Sequence, residues 1–420
     1  MAPNALHNSG HLFDPPKCHP GTRVAVIQAI MDWVAGANEA TRDKGVNWLT
    51  GAAGAGKSAI GRSVCERCTQ EGTLLASFFF GSTDGTRNHS KHLAATIAYQ
   101  ICAISPSIRK AVSDYIEYDP LIFNKSMRTQ FVSLVMDPLS SCYANRLQIL
   151  PRLIVIDGID ECLDVSSQRD ILETITYLTT YSYFPFCFLV GSRPESNIKN
   201  VMHGVQMSAA VFKIFLGDEY HPDEDIGLYL HDQFNLIREG HIFKSSLPVS
   251  WPSEENIREL IHKSSGQFVY ASTAVRYTQS PRHVPHQRLD ALLGLRPPFK
   301  DLPFAELDAL YTHLLKMTDD SSLTVRILAF PAMYHKQCTY DIAKYLEIED
   351  VEVEVVLSDL AAIVQMAPEL EENNNLAHVS LLHKSFEDFL FDQHRSKGLH
   401  MDFAETRAWH ILHSLQIFSG

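Results

Sequence analysis

The chain has 420 residues, 45% hydrophobic and 20% charged, the balance of a soluble globular protein long enough for two to four domains. A net charge of −13 argues against broad nucleic-acid binding, and no run approaches the roughly 18 apolar residues of a membrane span. The opening MAPNALHNSGHLFDPPK lacks the apolar core of a leader peptide. With eight cysteines reading as reduced thiols, the expectation is a cytoplasmic protein.

Residues 1–20, with Pro15, Pro16 and Pro20, predict an irregular lead-in. Apolar spacing at Val24, Ile27, Ile30, Met31 and Val34 predicts a helix over 21–35. An apolar strand is expected over 46–50 and a helix over 59–70. The run LLASFFFG (74–81) predicts a buried strand, followed by a polar turn over 82–90. Helices are expected over 92–103 and 106–117, and helical patterning over 123–142 up to an interruption at Pro138. Further core strands are predicted over 153–156, 186–191 and 211–216, with a helix over 168–181. Strands separated by helices imply a parallel sheet covered on both faces.

After about residue 217 strand-type runs become scarce. Helices are predicted over 222–237, 253–264 and 267–279, then a proline-rich stretch with short helical pieces over 281–303. Further helices are expected over 304–317, 321–334, 340–346 and 385–392, and a helix or solvated loop over 347–354. A polar turn at 369–375 separates two runs that can pair as a hairpin.

Gly51-Ala52-Ala53-Gly54-Ala55-Gly56-Lys57-Ser58 fits G-x-x-x-x-G-K-S/T at every fixed position, between a predicted strand and a predicted helix. Small side chains at 51–56 let backbone N–H groups turn around a phosphate. The helix that begins near Lys57 and runs on through Ala59 directs its positive end at the same anion. Lys57 can reach the β- and γ-phosphates, and the Ser58 hydroxyl can ligate Mg²⁺. Asp157 ends an apolar strand, where a carboxylate can hold Mg²⁺ directly or through water. Just beyond it, Asp160 and Glu161 are candidates to orient the attacking water; spacing does not choose between them, and Glu161 is favoured with Asp160 in support. Arg193 closes the next apolar strand, where a guanidinium can contact the γ-phosphate. Cys65 and Cys68 (C-x₂-C) with His89 and His92 (H-x₂-H) offer zinc ligands on paper. The cysteines fall on the helix after the phosphate loop, however, and the histidine spacing is short, so core packing is the preferred reading.

Ten segments together resemble one family: CHPGTR (18–23), WLTGAAGAGKS (48–58), SFFFGSTDGTRN (77–88), LAATIAYQI (93–101), PRLIVIDGIDEC (151–162), FLVGSRPE (188–195), WPSEENI (251–257), SSGQFVYASTAV (264–275), PFAELDALY (303–311) and HKSFEDFL (383–390). They look like the NACHT family of signal-transduction ATPases, the STAND class of P-loop NTPases, in the NLR-like form abundant in mushroom-forming fungi. The resemblance spans roughly residues 10–395. It implies a five-stranded nucleotide-binding α/β domain over 21–217, a helical domain over 218–300, a winged-helix domain over 301–395 and a helical tail over 396–420. It implies that the Arg193 strand lies between the phosphate-loop strand and the Asp157 strand. It also implies ATP or ADP with Mg²⁺ as cofactors (the motifs do not exclude GTP), a role in innate immunity, and a winged-helix histidine on the β-phosphate, a position where His383 falls. Plant relatives place proline in a Gly-x-Pro motif near adenine; here the stretch is Gly266-Gln267-Phe268, which leaves the adenine contact open. Family members usually carry effector and repeat domains, so the expectation is either that this sequence is a fragment of a longer protein or that protein partners supply those functions.

The leading expectation is a nucleotide switch in which ADP favours closure and ATP favours opening and self-association, with slow hydrolysis as the reset. An AAA-like ATPase with continuous turnover is the alternative, and a nucleotide-independent scaffold ranks last.

Overall fold

The computed structural model describes residues 1–10, 17–144, 151–182, 185–295, 304–334, 337–368 and 377–419. The chain forms two compact units, Met1–Tyr220 and His221–Gly420.

The first unit contains α1 (Val24–Ala35), β1 (Val46–Thr50), α2 (Lys57–Gln70), β2 (Leu74–Phe79), α3 (Leu93–Ile101), α4 (Pro106–Tyr118), α5 (Met127–Phe131) and α6 (Asp137–Ala144). After these come β3 (Leu153–Asp157), α7 (Val165–Tyr181), β4 (Cys187–Ser192), α8 (Ser196–Met202), α9 (Val205–Ser208) and β5 (Val211–Phe215). The five strands make one parallel sheet in the order β2-β3-β4-β1-β5. The Arg193 strand therefore stands between β1 and β3, as the resemblance implies. Strands β1, β3 and β4 are buried along their whole length because helices cover both faces. Leu49, Val155 and Leu189 pack with Ile30, Trp33 and Ile60 of α1 and α2 on one side. Trp48, Ile156 and Phe188 pack with Ile97, Phe131 and Leu172 of α3, α5 and α7 on the other. Each such side chain contributes about 1.5–3 kcal/mol by leaving water.

One local expectation is corrected. Pro138 does not break the helical patterning. A π-helical turn over Val132–Met136 joins α5 to α6, and Pro138, which has no N–H to donate, falls in the first turn of α6. Residues 196–208 carry α8 and α9, where no helix is predicted. Within the lead-in Pro3–Ala5 is a 3₁₀ turn, Ala2 and Ala5 are fully buried, the Ala2 N–H donates to Thr96 Oγ1 (2.9 Å), and the His7 N–H donates to Ser77 Oγ (3.1 Å). At the edge strand β2, the Gln100 side chain accepts from the Ser77 N–H and donates to the Ser77 carbonyl, both at 2.9 Å.

The second unit begins with α10 (Pro222–Gly240), α11 (Glu254–Ser264), α12 (Phe268–Thr278), α13 (Pro285–Gly294) and α14 (Ala305–Lys316). Ser253 and Asn256 form a reciprocal cap that fixes the start of α11. There follow α15 (Ser321–Met333), β6 (Gln337–Cys338), α16 (Thr339–Leu346), α17 (Asp350–Asp359), β7 (Val364–Pro368), β8 (Ala377–Leu381), α18 (Lys384–Phe391), α19 (Gln393–Ser396) and α20 (Phe403–Ser419). β7 and β8 pair antiparallel and β6 joins β8 in a three-stranded sheet. The polar turn at 369–375 and the proline-rich residues 296–303 lie outside the described residues. One core runs from Ile226 of α10 through Tyr311 of α14 and Phe386 of α18 to Met401. No helix among the described residues is long and apolar enough to cross a membrane.

Candidate functional site

Three of the sequence-predicted groups meet at the C-terminal edge of the sheet, because β1, β3 and β4 run parallel and in register there: Thr50 opposite Ser192, Asp157 opposite Gly191. The 51–58 turn leaves β1 and enters α2 with Gly54 (φ +75°) and Gly56 (φ +96°) in the left-handed region that glycine favours. Ala55 turns its methyl into the core. Gly56 is the N-cap of α2 and supplies no side-chain cap, and Ile60 N–H makes the first helical bond to the Gly56 carbonyl (2.9 Å). The amides of Lys57, Ser58 and Ala59 thus belong to the turn whose N–H groups a helix leaves without intrahelical partners. Lys57 Nζ donates to the Gly51 and Ala52 carbonyls, at 2.9 Å each. Burial lowers its pKa, while Asp160 and Asp157 oppose that shift.

Asp157 is buried, and burial raises its pKa; a hydrogen bond from Ser58 and the positive Arg62 and Lys57 work the other way. Gly191 on the neighbouring strand makes room for it: a Cβ there would lie 1.9 Å from Asp157 Oδ1. Gly158, with φ +76°, turns the chain and donates to the Gly191 carbonyl (2.9 Å). Arg62, one turn along α2 from Ser58, lies over the Phe79 ring at 4.5 Å.

Asp160 and Glu161 have separate surroundings. Asp160 Oδ1 accepts from the Arg193 N–H (3.0 Å) and Oδ2 lies 3.2 Å from Arg193 Nε, so this carboxylate holds both backbone and guanidinium of Arg193. Glu161 Oε2 accepts from the Ser82 N–H (3.2 Å). The 81–88 loop that carries Ser82 is set by Arg87, which pairs with buried Asp84 (3.0 Å) and donates to the Phe79 and Phe80 carbonyls. The places of Ser82, Arg62 and Gly191 are not legible in the sequence; a glycine closing an apolar strand beside the Asp157 strand is the one available signal. Cys65 and Cys68 are fully buried beside Ile60 and Val64, in the core and not at a loop surface.

His383 lies in the second unit, at the N-cap of α18, with Nε2 3.5 Å from Ser272 Oγ. Burial, helped by Arg276, pushes its pKa down to about 4. His410 on α20, which bonds the Tyr334 hydroxyl through Nδ1 (2.9 Å), is likewise pushed down to about 4 by burial and then by His413. Gly266 (φ +73°) follows the end of α11 against Pro222, and Gln267 is the N-cap of α12. Both histidines stay neutral in the folded chain, whereas an unfolded histidine titrates near 6.5. Between pH 6.5 and about 4 the unfolded chain therefore binds more protons, and stability present above pH 6.5 is lost as pH falls through this window. The melting temperature should drop from pH 7 to pH 5, and His410→Phe should flatten that slope; an unchanged slope would refute the assignment.

The family model described as nephrocystin 3, N-terminal, matches residues 27–193, from α1 to the arginine after β4. No curated protein matches the chain. Solved structures similar to it include Drosophila ORC bound to AT-rich DNA and Cdc6, at 14% identity and a TM-score of 0.30 over 80% of this chain and 47% of that one. Another is Drosophila ORC bound to DNA, at 10% identity and a TM-score of 0.35 over 90% of this chain and 100% of that one. The chain thus spans about half the length of the first of these. The glycine-rich turn after β1, the acidic end of β3 and the five-stranded parallel order make the first unit a fold of the P-loop NTPase-like kind.

Proposed function

We propose that this chain is a nucleotide-dependent switch that binds ADP or ATP with Mg²⁺ at residues 51–59 and couples exchange and slow hydrolysis to opening and self-association. The observation that carries the proposal is the meeting, at the C-terminal edge of the sheet, of the glycine-rich turn with the buried carboxylate of Asp157, whose pKa Ser58 and Lys57 of that turn help to lower. Two hard oxygen donors from separate elements meet there, the donor set Mg²⁺ takes in P-loop proteins. The uncapped start of α2 and the ammonium of Lys57, whose bonds go to neutral carbonyls, suit an anion beside it.

In this reading Lys57 leaves the Gly51 and Ala52 carbonyls for phosphate oxygens, and the amides of 57–59 bind the same group. Ser58 and Asp157 hold the metal, which when bound neutralises phosphate charge. Glu161, oriented by the Ser82 amide, takes the water-positioning role, and Asp160 keeps Arg193 extended along the sheet edge toward the γ-phosphate. Self-association and the recruitment of effector or sensor partners follow from opening.

The test is the nucleotide carried through purification and its affinity on re-addition. Lys57→Met should weaken ADP by about 100-fold, on the order of two charge-assisted contacts. Equal ADP binding by wild type and Lys57→Met would end the proposal. Steady turnover above about 1 s⁻¹ would make hydrolysis the output and not the reset.

A further inference from the structure

We propose that Arg23 positions the phosphate loop, holding the Ala55 carbonyl so that the Gly56 N–H is turned toward the bound anion. The inference rests on the nucleotide reading above. The segment CHPGTR precedes α1, and three contacts fix its path. The Cys18 N–H donates to Ser63 Oγ on α2 (3.1 Å), and the Thr22 N–H and hydroxyl both donate to the His19 carbonyl (3.0 and 2.7 Å). Gly21 takes φ +81° in this turn. Arg23 itself adopts a left-handed backbone (φ 54°, ψ 22°), unusual for a residue with a Cβ. The side chain this turn delivers is 4% exposed and does not cap α1. Its Nη2 donates to the Ala55 carbonyl across a buried 3.1 Å contact.

A trans peptide is planar, with C=O and N–H pointing to opposite sides. Fixing the Ala55 oxygen on Arg23 therefore fixes the Gly56 N–H on the far side of the loop. A cation on the oxygen also polarises the unit and strengthens that N–H as a donor. Glycine at 56 gives the loop its turn and also leaves this peptide free to rotate, and Arg23 supplies the restraint. With Lys57 on Gly51 and Ala52, cations engage three of the loop's carbonyls. Because Arg23 acts through the peptide and not on the ligand, it is a positioning residue.

The experiment titrates the full chain with fluorescent methylanthraniloyl-ADP and measures melting of the nucleotide-free chain. Affinity should follow the cation: Arg23→Lys within about threefold of wild type, Arg23→Gln and Arg23→Met about tenfold weaker, the scale of one charge-assisted hydrogen bond. Melting should not follow that order. Equal affinity in all four proteins, or affinity falling only in step with melting, overturns the inference. If Arg23→Met does not fold, Arg23→Gln and Arg23→Lys give the same comparison. A wild type that binds no better than Lys57→Met refutes the nucleotide reading itself, whereas a wild type that binds and variants that match it refute only the role of Arg23.

Discussion

Gly191→Ala is expected to destabilise the first unit by about 3 kcal/mol, the upper end of the cost of overpacking a core site. The added Cβ would lie 1.9 Å from Asp157 Oδ1, 3.0 Å from its Cγ and 3.4 Å from its Cα. The last distance is to backbone held in the ladder between β3 and β4, so the strand cannot yield. The carboxylate must rotate away from its place beside Ser58 and Lys57. Mg²⁺-dependent ADP affinity should fall with it. The cause is space and not conformation, so Gly191→Ala should cost far less in an Asp157→Ala background, where the obstructing oxygen is gone. Purely additive costs in thermal unfolding of the two single variants and the double variant would exclude this mechanism.

Arg395→Ala should remove about 2 kcal/mol from the second unit, less than the cost of stripping one partner from a fully buried ion pair because this pair is partly buried. Arg395 Nε lies 3.1 and 3.2 Å from the two Asp308 oxygens, and Nη2 lies 2.7 Å from Oδ1. The two side chains are only 17% and 16% exposed, and the guanidinium stands over the Phe304 ring at 5.0 Å. The pair joins α14 to α19. Burial already raises the Asp308 pKa despite Arg395, so loss of the arginine leaves a costly carboxylate. The combined change Arg395→Met with Asp308→Leu should recover most of the loss, because both charges leave together. Denaturant unfolding decides: a double variant no more stable than Arg395→Ala would mean that the aliphatic stem of the arginine, and not its charge, holds α19.

The sheet was legible because its strands are buried on both faces and read as unbroken apolar runs; LIVI at 153–156 and FCFLVG at 186–191 cannot be solvated strands. The phosphate loop and Asp157 were legible because their residue types are dictated by chemistry at fixed spacing. What failed to show depends on distant partners. Two-residue β6 exists only because β8 pairs with it. Ala2 and Ala5 look like lead-in until α3 offers Thr96 and a core to enter. CHPGTR was visible as a motif, but its arginine acquires a role only when the chain returns 32 residues later with the Ala55 carbonyl. Asp160 and Glu161 could not be separated by spacing. Their partners, Arg193 and Ser82, sit on different segments.

The Gln100 carboxamide, which both gives to and takes from the Ser77 backbone, imitates an extra chain laid along the outer rim of the sheet. With His7 also on Ser77, that rim is blunted against strand-to-strand growth, the route by which open sheets polymerise into fibrils. A further strand could add at Ser77 only by first displacing the Gln100 carboxamide.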